Sequence, residues 1–156
     1  MDAERLSWGD HARLVDDIAT RVTADGKPDV IVGVLRGGAV PAVMLAHRLG
    51  LRDVRTLTVV HTTADGVNAP KHTEPRVTDT GALGGVGGMD VLVVDDVAGS
   101  GKSIELAHRL VSGGNAKRIR TAVCVLNLGN WPEAAPTPDI VGRRVHRWVI
   151  FPWEVS

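Results

Sequence analysis

Two adjacent carboxylates, Asp95 and Asp96, are the side chains of this sequence with the clearest potential for chemistry. They follow the short apolar run Val91–Val94, and a loop of small residues leads from them to a helical pattern at Ser103. A strand, an acid pair, a glycine-containing loop and a helix in this order place the acids and the loop at the carboxyl end of a strand, where α/β sheets bind ligands. The segment therefore predicts a binding site for a phosphorylated ligand.

The loop after the acid pair has the residue types that hold a phosphate. Gly99 and Gly101 allow backbone angles that point successive N–H groups inward, and Ser100 and Ser103 add hydroxyl donors. The helix that follows contributes free N–H groups and the positive end of its dipole. The residues that we predict to bind a phosphate are Ala98, Gly99, Ser100, Gly101, Lys102 and Ser103.

A nucleoside-triphosphate loop is the main alternative, because Gly101-Lys102-Ser103 matches its end. That motif requires a glycine five residues before Gly101, and this chain has Asp96 there. Two carboxylates would repel the phosphates of a nucleotide. They would instead suit ribose hydroxyl groups and a Mg²⁺ ion held through water, and we assign Asp95 and Asp96 to both.

The rest of the chain indicates the elements that position this loop. Apolar β-branched runs predict strands at Val30–Leu35, Val54–Val60, Val91–Val94 and Ile119–Leu126, and helical patterns lie at 7–22, Ala39–Leu49 and Ser103–Val111. This alternation predicts one α/β domain over residues 1–156, with a parallel twisted sheet and helices on both faces. The carboxyl ends of three strands then carry Arg36-Gly37-Gly38, the acid pair with its loop, and Asn127.

Two segments do not fit the alternation. Residues 61–88 are long, polar and rich in glycine near their end, which predicts a flexible lid, with plain disorder as the alternative. Lys71 and Arg76 are the cations in it that could close over a ligand. Residues 127–156 contain several prolines and tryptophans and are predicted to form a small C-terminal hood.

The segment from 91 to 103 resembles the 5-phosphoribosyl-1-pyrophosphate (PRPP) motif of type I phosphoribosyltransferases. Residues 33–38, Gly-Val-Leu-Arg-Gly-Gly, resemble the pyrophosphate loop of the same family, where glycine amides and an arginine hold the leaving group. The resemblance assigns pyrophosphate to Leu35, Arg36, Gly37 and Gly38. Family members often have a non-proline cis peptide in this loop, and Leu35-Arg36 is the matching bond.

The C-terminus resembles the short purine branch of that family, in particular bacterial xanthine–guanine phosphoribosyltransferase. Residues 147–154, Arg-Trp-Val-Ile-Phe-Pro-Trp-Glu, are similar to its Trp-x-x-x-Pro-Trp-acid hood. The resemblance implies that Trp148 stacks on the base and that the backbone of Val149 touches the edge of the base. Stacking on an aromatic ring is worth about 1–3 kcal/mol per base.

Two positions depart from the 6-oxopurine enzymes of the family. An Asp that contacts purine N7 is replaced by Gly99, and a Lys that binds the exocyclic oxygen is replaced by Asn127, which we also assign to the base. A lysine only donates hydrogen bonds, whereas an asparagine donates and accepts. These departures favour an acceptor other than hypoxanthine, guanine or xanthine, such as an amino-bearing or otherwise modified heterocycle.

The resemblance implies transfer of a phosphoribosyl group from PRPP to a ring nitrogen of a purine-like or modified heterocyclic base, with release of pyrophosphate. Asp95, Asp96 and Arg36 would be the catalytic residues, Mg²⁺ the cofactor, and a homodimer or homotetramer the active form. The alternative is a weakly catalytic regulatory protein of the same fold that senses PRPP or a nucleotide.

Charge and cysteine content narrow the partners and the location. Lys+Arg and Asp+Glu both number 18, so the basic excess typical of a nucleic-acid-binding surface is missing. No apolar run reaches the roughly 18 residues of a membrane span. Cys124 is the sole cysteine, which excludes an internal disulfide and favours a reducing compartment, so we expect the cytoplasm.

The choice between a PRPP site and a nucleoside-triphosphate loop can be tested by thermal unfolding. A ligand that binds only the folded state stabilises it by mass action, by about 2.7 kcal/mol at one hundred times its Kd. We expect PRPP with Mg²⁺ to raise Tm and ATP with Mg²⁺ to raise it far less. Equal or greater protection by ATP would contradict the assignment of the loop.

Overall fold

The computed structural model describes residues 2–62 and 71–155. Its helices are α1 (Trp8–Asp25), α2 (Ala39–Leu49) and α3 (Lys102–Ser112). Its strands are β1 (Ala3–Arg5), β2 (Val30–Leu35), β3 (Val54–Thr62), β4 (Lys71–Asp79), β5 (Asp90–Ala98), β6 (Arg118–Asn127), β7 (Ile140–Val145) and β8 (Trp148–Ile150). No helix among these residues is both long enough and apolar enough to cross a membrane.

Six strands form the main sheet in the order β4-β3-β2-β5-β6-β7. All neighbouring pairs are parallel except β3 with β4, which is antiparallel. From β2 the chain adds β3 on one side and later returns to place β5 on the other side. The direction of winding therefore switches between β2 and β5, and a crevice for ligands opens at the carboxyl ends of these two strands.

The two faces of this sheet have separate apolar cores. The first core joins α1 and α2 to alternate strand residues such as Ile31, Leu92 and Cys124. The second joins α3 to the intervening residues, such as Val32 and Val93. Because neighbouring side chains of a strand point to opposite faces, both sides of the sheet are buried. The predicted α/β fold with helices on both faces is confirmed.

The ends of the helices and strands are close to those predicted from sequence. Strand β2 and helix α2 have the predicted bounds. Helix α1 starts one residue later and ends three residues later than predicted. Its first turn is closed by a capping box in which Asp10 N donates to Ser7 Oγ at 3.0 Å and Ser7 N donates to Asp10 Oδ2 at 2.9 Å.

Strand β5 is longer than predicted, because the polar acid pair does not interrupt its pairing with β6. The ladder continues through Asp95↔Val123 and Ala98↔Leu126. Ala98, which we had placed in the phosphate loop, is thus the buried last residue of a strand. Its side chain belongs to the second core, so a contact with phosphate would have to come from its backbone.

Residues 61–88, which we predicted to form a flexible lid, include strand β4 and the turn that follows it. Residues 71–79 pair with β3, and Pro75 is tolerated because β4 is an edge strand. Leu83 and Val86 are buried in the second core, where Arg55 Nη1 donates to Leu83 O at 2.9 Å. Residues 63–70, and the side chain of Lys71, lie outside the described part of the chain, so a lid there stays a prediction.

Within residues 127–156, which we predicted to form the hood, β7 belongs to the main sheet. Strand β8 instead pairs in parallel with the N-terminal strand β1, with Ala3 opposite Trp148 and Glu4 opposite Val149. Phe151 and Val149 then pack into the first core beside α1. The two ends of the chain therefore form the hood together, a pairing that the sequence pattern did not indicate.

Candidate active site

The acid pair lies in the second half of β5, at the crevice between β5 and β2. Asp95 is only 8% exposed, and its Oδ1 accepts a hydrogen bond from Asp96 N at 2.8 Å. Oδ1 of Asp96 accepts from Val97 N at 2.7 Å. Each carboxyl group is thus held by the backbone of the next residue, which fixes both side chains at the end of the strand.

Burial raises the pKa of Asp95 well above its usual value, and the charge of Asp96 raises it further. Burial also raises the pKa of Asp96, and the carboxylate of Glu154 contributes in the same direction. Without a ligand, the pair is a site where a second negative charge is unfavourable, and a cation or hydroxyl donors would relieve this.

The predicted pyrophosphate loop lies directly on this acid pair. A Cβ added to Gly37 would overlap the carboxylate of Asp96, and one added to Gly38 would come within 2.5 Å of Val94 O and 2.6 Å of Val34 O. Both positions therefore require glycine because their backbone lies too close to neighbouring atoms for a Cβ, and not because of an unusual φ. The peptide bond between Leu35 and Arg36 is cis, as the family resemblance predicted.

The phosphate loop turns at Gly101, whose φ of 80° lies in the left-handed region. No side chain caps α3 at this residue, although Lys102 N donates to Ser100 Oγ at 3.4 Å. An uncapped helix N-terminus with free N–H groups is suited to an anion. Gly99 borders open space, because no heavy atom lies within 4 Å of a Cβ added there.

Asn127 is the last residue of β6, and its side chain has a fixed orientation. Gly129 N donates to Oδ1 of Asn127 at 3.0 Å. Because a backbone N–H can only donate, the atom that faces it must be the amide oxygen, and the NH₂ group is left to point elsewhere. Among the predicted base contacts, the side chain of Val149 is buried in the first core, so only its backbone can reach a ligand.

The aromatic residues of the hood fall into two groups. Phe151 stacks on Trp153 at 4.8 Å, and His11 meets the edge of Trp153 at 4.9 Å. Burial lowers the pKa of His11, which favours a neutral ring in this cluster. Over residues 2–62 and 71–155, no ring contact involves Trp148, which is half-buried at the start of β8. Trp153 therefore packs the hood onto α1, and stacking of Trp148 on a base stays a prediction.

Two acidic residues of the hood region had no predicted role in the site. Glu154 accepts a hydrogen bond from Phe151 N at 2.7 Å, and its charge acts on Asp96. Glu4 binds Arg143 Nη1 at 2.5 Å. Its other carboxylate oxygen lies 3.7 Å from Nε of Arg147, which is the residue before Trp148. Glu154 could have been noticed as the acid of the hood pattern, but Glu4 has partners about 140 residues away and no local signal.

The model of the phosphoribosyl transferase domain family matches residues 6–156. The chain belongs to the phosphoribosyltransferase family. A solved structure of a purine phosphoribosyltransferase from Pyrococcus horikoshii is similar, with a TM-score of 0.83 and 32% identity, over 100% of this chain and 96% of that one.

Curated relatives of this phosphoribosyltransferase include the xanthine-guanine phosphoribosyltransferases of Ruegeria sp. and Cereibacter sphaeroides. Each is 28% identical to it, over 97% of this chain and 85% or 86% of the relative. These relatives are transferases by name and give no support to the regulatory alternative. The phosphoribosyltransferase is an enzyme of the PRPP-dependent base-transferring class.

Replacing both acids, Asp95→Asn with Asp96→Asn, is expected to abolish turnover and to stabilise the ligand-free fold. Since the folded pKa values are raised, the unfolded chain releases these protons at lower pH, and stability falls as pH rises above the usual Asp pKa of about 4. A gain on the order of 1 kcal/mol at pH 7 would raise Tm by about 2–4 °C. The measurement is Tm against pH for wild type and variant, with PRPP turnover beside it.

The difference between the two Tm profiles should grow as pH rises, because asparagine does not titrate. A double variant that turns over at a near-normal rate would contradict the catalytic role of the acids. A variant that loses stability at pH 7 would contradict the charge repulsion within the pair.

Proposed function

We propose that this phosphoribosyltransferase transfers the phosphoribosyl group of PRPP to a ring nitrogen of a purine base. The observation that carries the proposal is the contact of Gly37 with Asp96, at the point where the sheet switches direction. It brings the pyrophosphate loop against the acids that would hold the ribose. The bond to be broken, between the anomeric carbon and pyrophosphate, would lie between these two groups.

Each group of residues in the site would bind a different part of PRPP. The N–H groups at residues 99–103 would bind the 5′-phosphate, and Asp95 and Asp96 would orient the ribose hydroxyls. The N–H groups of residues 35–38, with the charge of Arg36, would receive pyrophosphate as the ring nitrogen forms its bond to the anomeric carbon with inversion. Fixed donors at the positions where charge develops stabilise an oxocarbenium-like state without reorganisation.

Mg²⁺ fits the acid pair by the chemistry of its donors. Carboxylate oxygens are the ligands that Mg²⁺ prefers, and it usually keeps several water molecules and binds substrate phosphates. Among the described residues, no group of three or more His, Cys, Asp or Glu side chains could hold a metal by itself. Asp95 and Asp96 would hold the ion through water. When bound with PRPP, the ion would neutralise charge on the pyrophosphate.

The orientation of Asn127 changes what this residue implies about the base. Because the oxygen of Asn127 already accepts from Gly129 N–H, we infer that Asn127 presents its NH₂ group to a ligand, with the same donor character as the lysine of the 6-oxopurine enzymes. A donor pairs with an exocyclic oxygen and not with an exocyclic amino group. We therefore infer a 6-oxopurine acceptor in preference to adenine, in accord with the names of the curated relatives.

Pyrophosphate release from PRPP and Mg²⁺ with a panel of bases tests both the function and the acceptor. We expect turnover with guanine, xanthine or hypoxanthine and little with adenine. No release with any base would overturn the proposed function. Faster use of adenine than of all three 6-oxopurines would overturn the role inferred for Asn127.

Asn127→Asp is a close test of the base contact, because Asp retains an oxygen for Gly129 N–H and replaces the NH₂ donor with an acceptor. A site that leaves a polar group unpaired discriminates strongly, so kcat/KM for 6-oxopurines should fall by about 10²-fold or more. The fall for adenine should be smaller. An equal loss for all bases would indicate a structural defect and contradict a reading role.

At position 99 the 6-oxopurine enzymes of the family have an Asp, and this chain has Gly99. This difference still predicts weak 6-oxopurine activity, because it leaves purine N7 without an acidic partner. Open space around Gly99 allows Gly99→Asp without a clash. We expect this variant to raise kcat for a 6-oxopurine by about tenfold or more, within the usual contribution of a general acid. Gly99→Asn is the control of equal size, and a similar gain with Asn would contradict proton donation. A loss of activity with Asp would contradict the assignment of the position.

The proposal also covers the location, the partners and the oligomeric state of the enzyme. We place it in the cytoplasm, without nucleic-acid or membrane partners, and as a homodimer or homotetramer. Cys124 is a free, buried thiol, and burial raises its pKa, which fits a packing role in a reducing compartment. The equal numbers of acidic and basic residues fit small anionic ligands bound locally.

A further inference from the structure

Trp131 lies in the segment that follows β6, and its indole covers the phosphate loop from the side of the second core. A Cβ added to Gly101 would come within 2.9 Å of Cη2 of Trp131 and within 3.5 Å of two further atoms of the ring. The ring therefore rests on the α-carbon of Gly101. Gly101 is the residue with φ of 80° at which the loop turns into α3.

The indole is itself held in place. Its Nε1 donates to Ala135 O at 3.3 Å, and the backbone N–H of Trp131 donates to Leu128 O at 3.4 Å. The ring also packs against the second core without being fully buried. These contacts fix the ring against the loop, so that a change in the position of Gly101 would have to displace Trp131 or leave its surface uncovered.

Few other atoms could replace this support. A cavity of about 270 Å³ borders Ser100, Gly101 and Trp131 and extends between α3 and residues 135–139. Without the indole, Gly101 would face a larger open space instead of a packed surface. A left-handed glycine with no packed neighbour has many accessible conformations, and the N–H groups of the loop would then lose their common direction.

The segment that carries Trp131 also begins at the base end of the site. Leu128 follows Asn127 directly, and its N–H donates to Val145 O at 2.7 Å. The four residues 128–131 thus connect the residue that reads the base to the ring that supports the phosphate loop. We propose that Trp131 is a positioning residue, which holds Gly101 and the N–H groups after it in the orientation that binds the 5′-phosphate.

This inference rests on the proposed function, because it assigns the loop to the 5′-phosphate of PRPP. It predicts that loss of the ring affects one part of the substrate. Trp131→Leu fills much of the volume but removes the flat ring and its N–H. We expect its Kd for ribose 5-phosphate and its KM for PRPP to rise about tenfold or more, since small misplacements of a binding group are costly. Its KM for the base and its Kd for pyrophosphate should stay within about twofold of wild type.

Trp131→Phe and Trp8→Ala are the matched variants. Trp131→Phe keeps a ring over Gly101 and should recover most of the affinity for ribose 5-phosphate. Trp8 is 55% exposed and packs near Trp153, so Trp8→Ala should leave that affinity unchanged. The tryptophan fluorescence change of wild type on adding ribose 5-phosphate should be largely lost in Trp131→Phe, which provides a readout even if Trp131→Leu does not fold.

The outcomes distinguish a failure of the proposed function from a failure of the positioning role of Trp131. If wild type neither binds ribose 5-phosphate nor turns over PRPP, the proposed function fails. If wild type does both, and Trp131→Leu has unchanged affinity for ribose 5-phosphate or loses affinity for pyrophosphate and base equally, the positioning role is wrong. A full fluorescence change retained in Trp131→Phe would also overturn it.

Discussion

The repulsion between two adjacent carboxyl groups near the end of β5 is the constraint on which the site depends. Asp95 is buried and Asp96 half-buried, and burial raises the pKa of both. A fold optimised only for stability would place apolar or amide side chains there, because removing buried charge is often neutral or stabilising. On the proposed function, the hydroxyl groups of the ligand and an associated cation would relieve the repulsion between these acids.

The leaving-group side of the site follows from that constraint. A second negative group, pyrophosphate, must bind beside the acids without adding repulsion that the chain cannot offset. In the proposed site this requirement would be met by backbone N–H groups with Arg36, since Gly37 lies on Asp96 and Gly38 lies on Val34 and Val94. Any side chain at these two glycine positions would collide with the acid or with the strands.

Sequence predicted what is local and missed what depends on distant pairing. The bounds of strand β2 and helix α2 follow from apolar runs and glycines within short windows. Strand β4 was missed because it is a polar edge strand that contains Pro75, where the alternation that marks a half-buried strand is weak. The pairing of β1 with β8 joins residues more than 140 positions apart, and no short window contains both partners.

The base end of the site shows the same limit in a single side chain. From its type alone, Asn127 could donate or accept, and the sequence left the acceptor base open for that reason. One backbone N–H two residues later donates to the oxygen and so orients the amide. Residue type thus sets the possible hydrogen bonds of Asn127, while the turn after β6 sets the direction of its side chain. The same turn continues to Trp131, whose ring packs on Gly101, so the proposed base contact and the proposed phosphate loop are connected through residues 128–131.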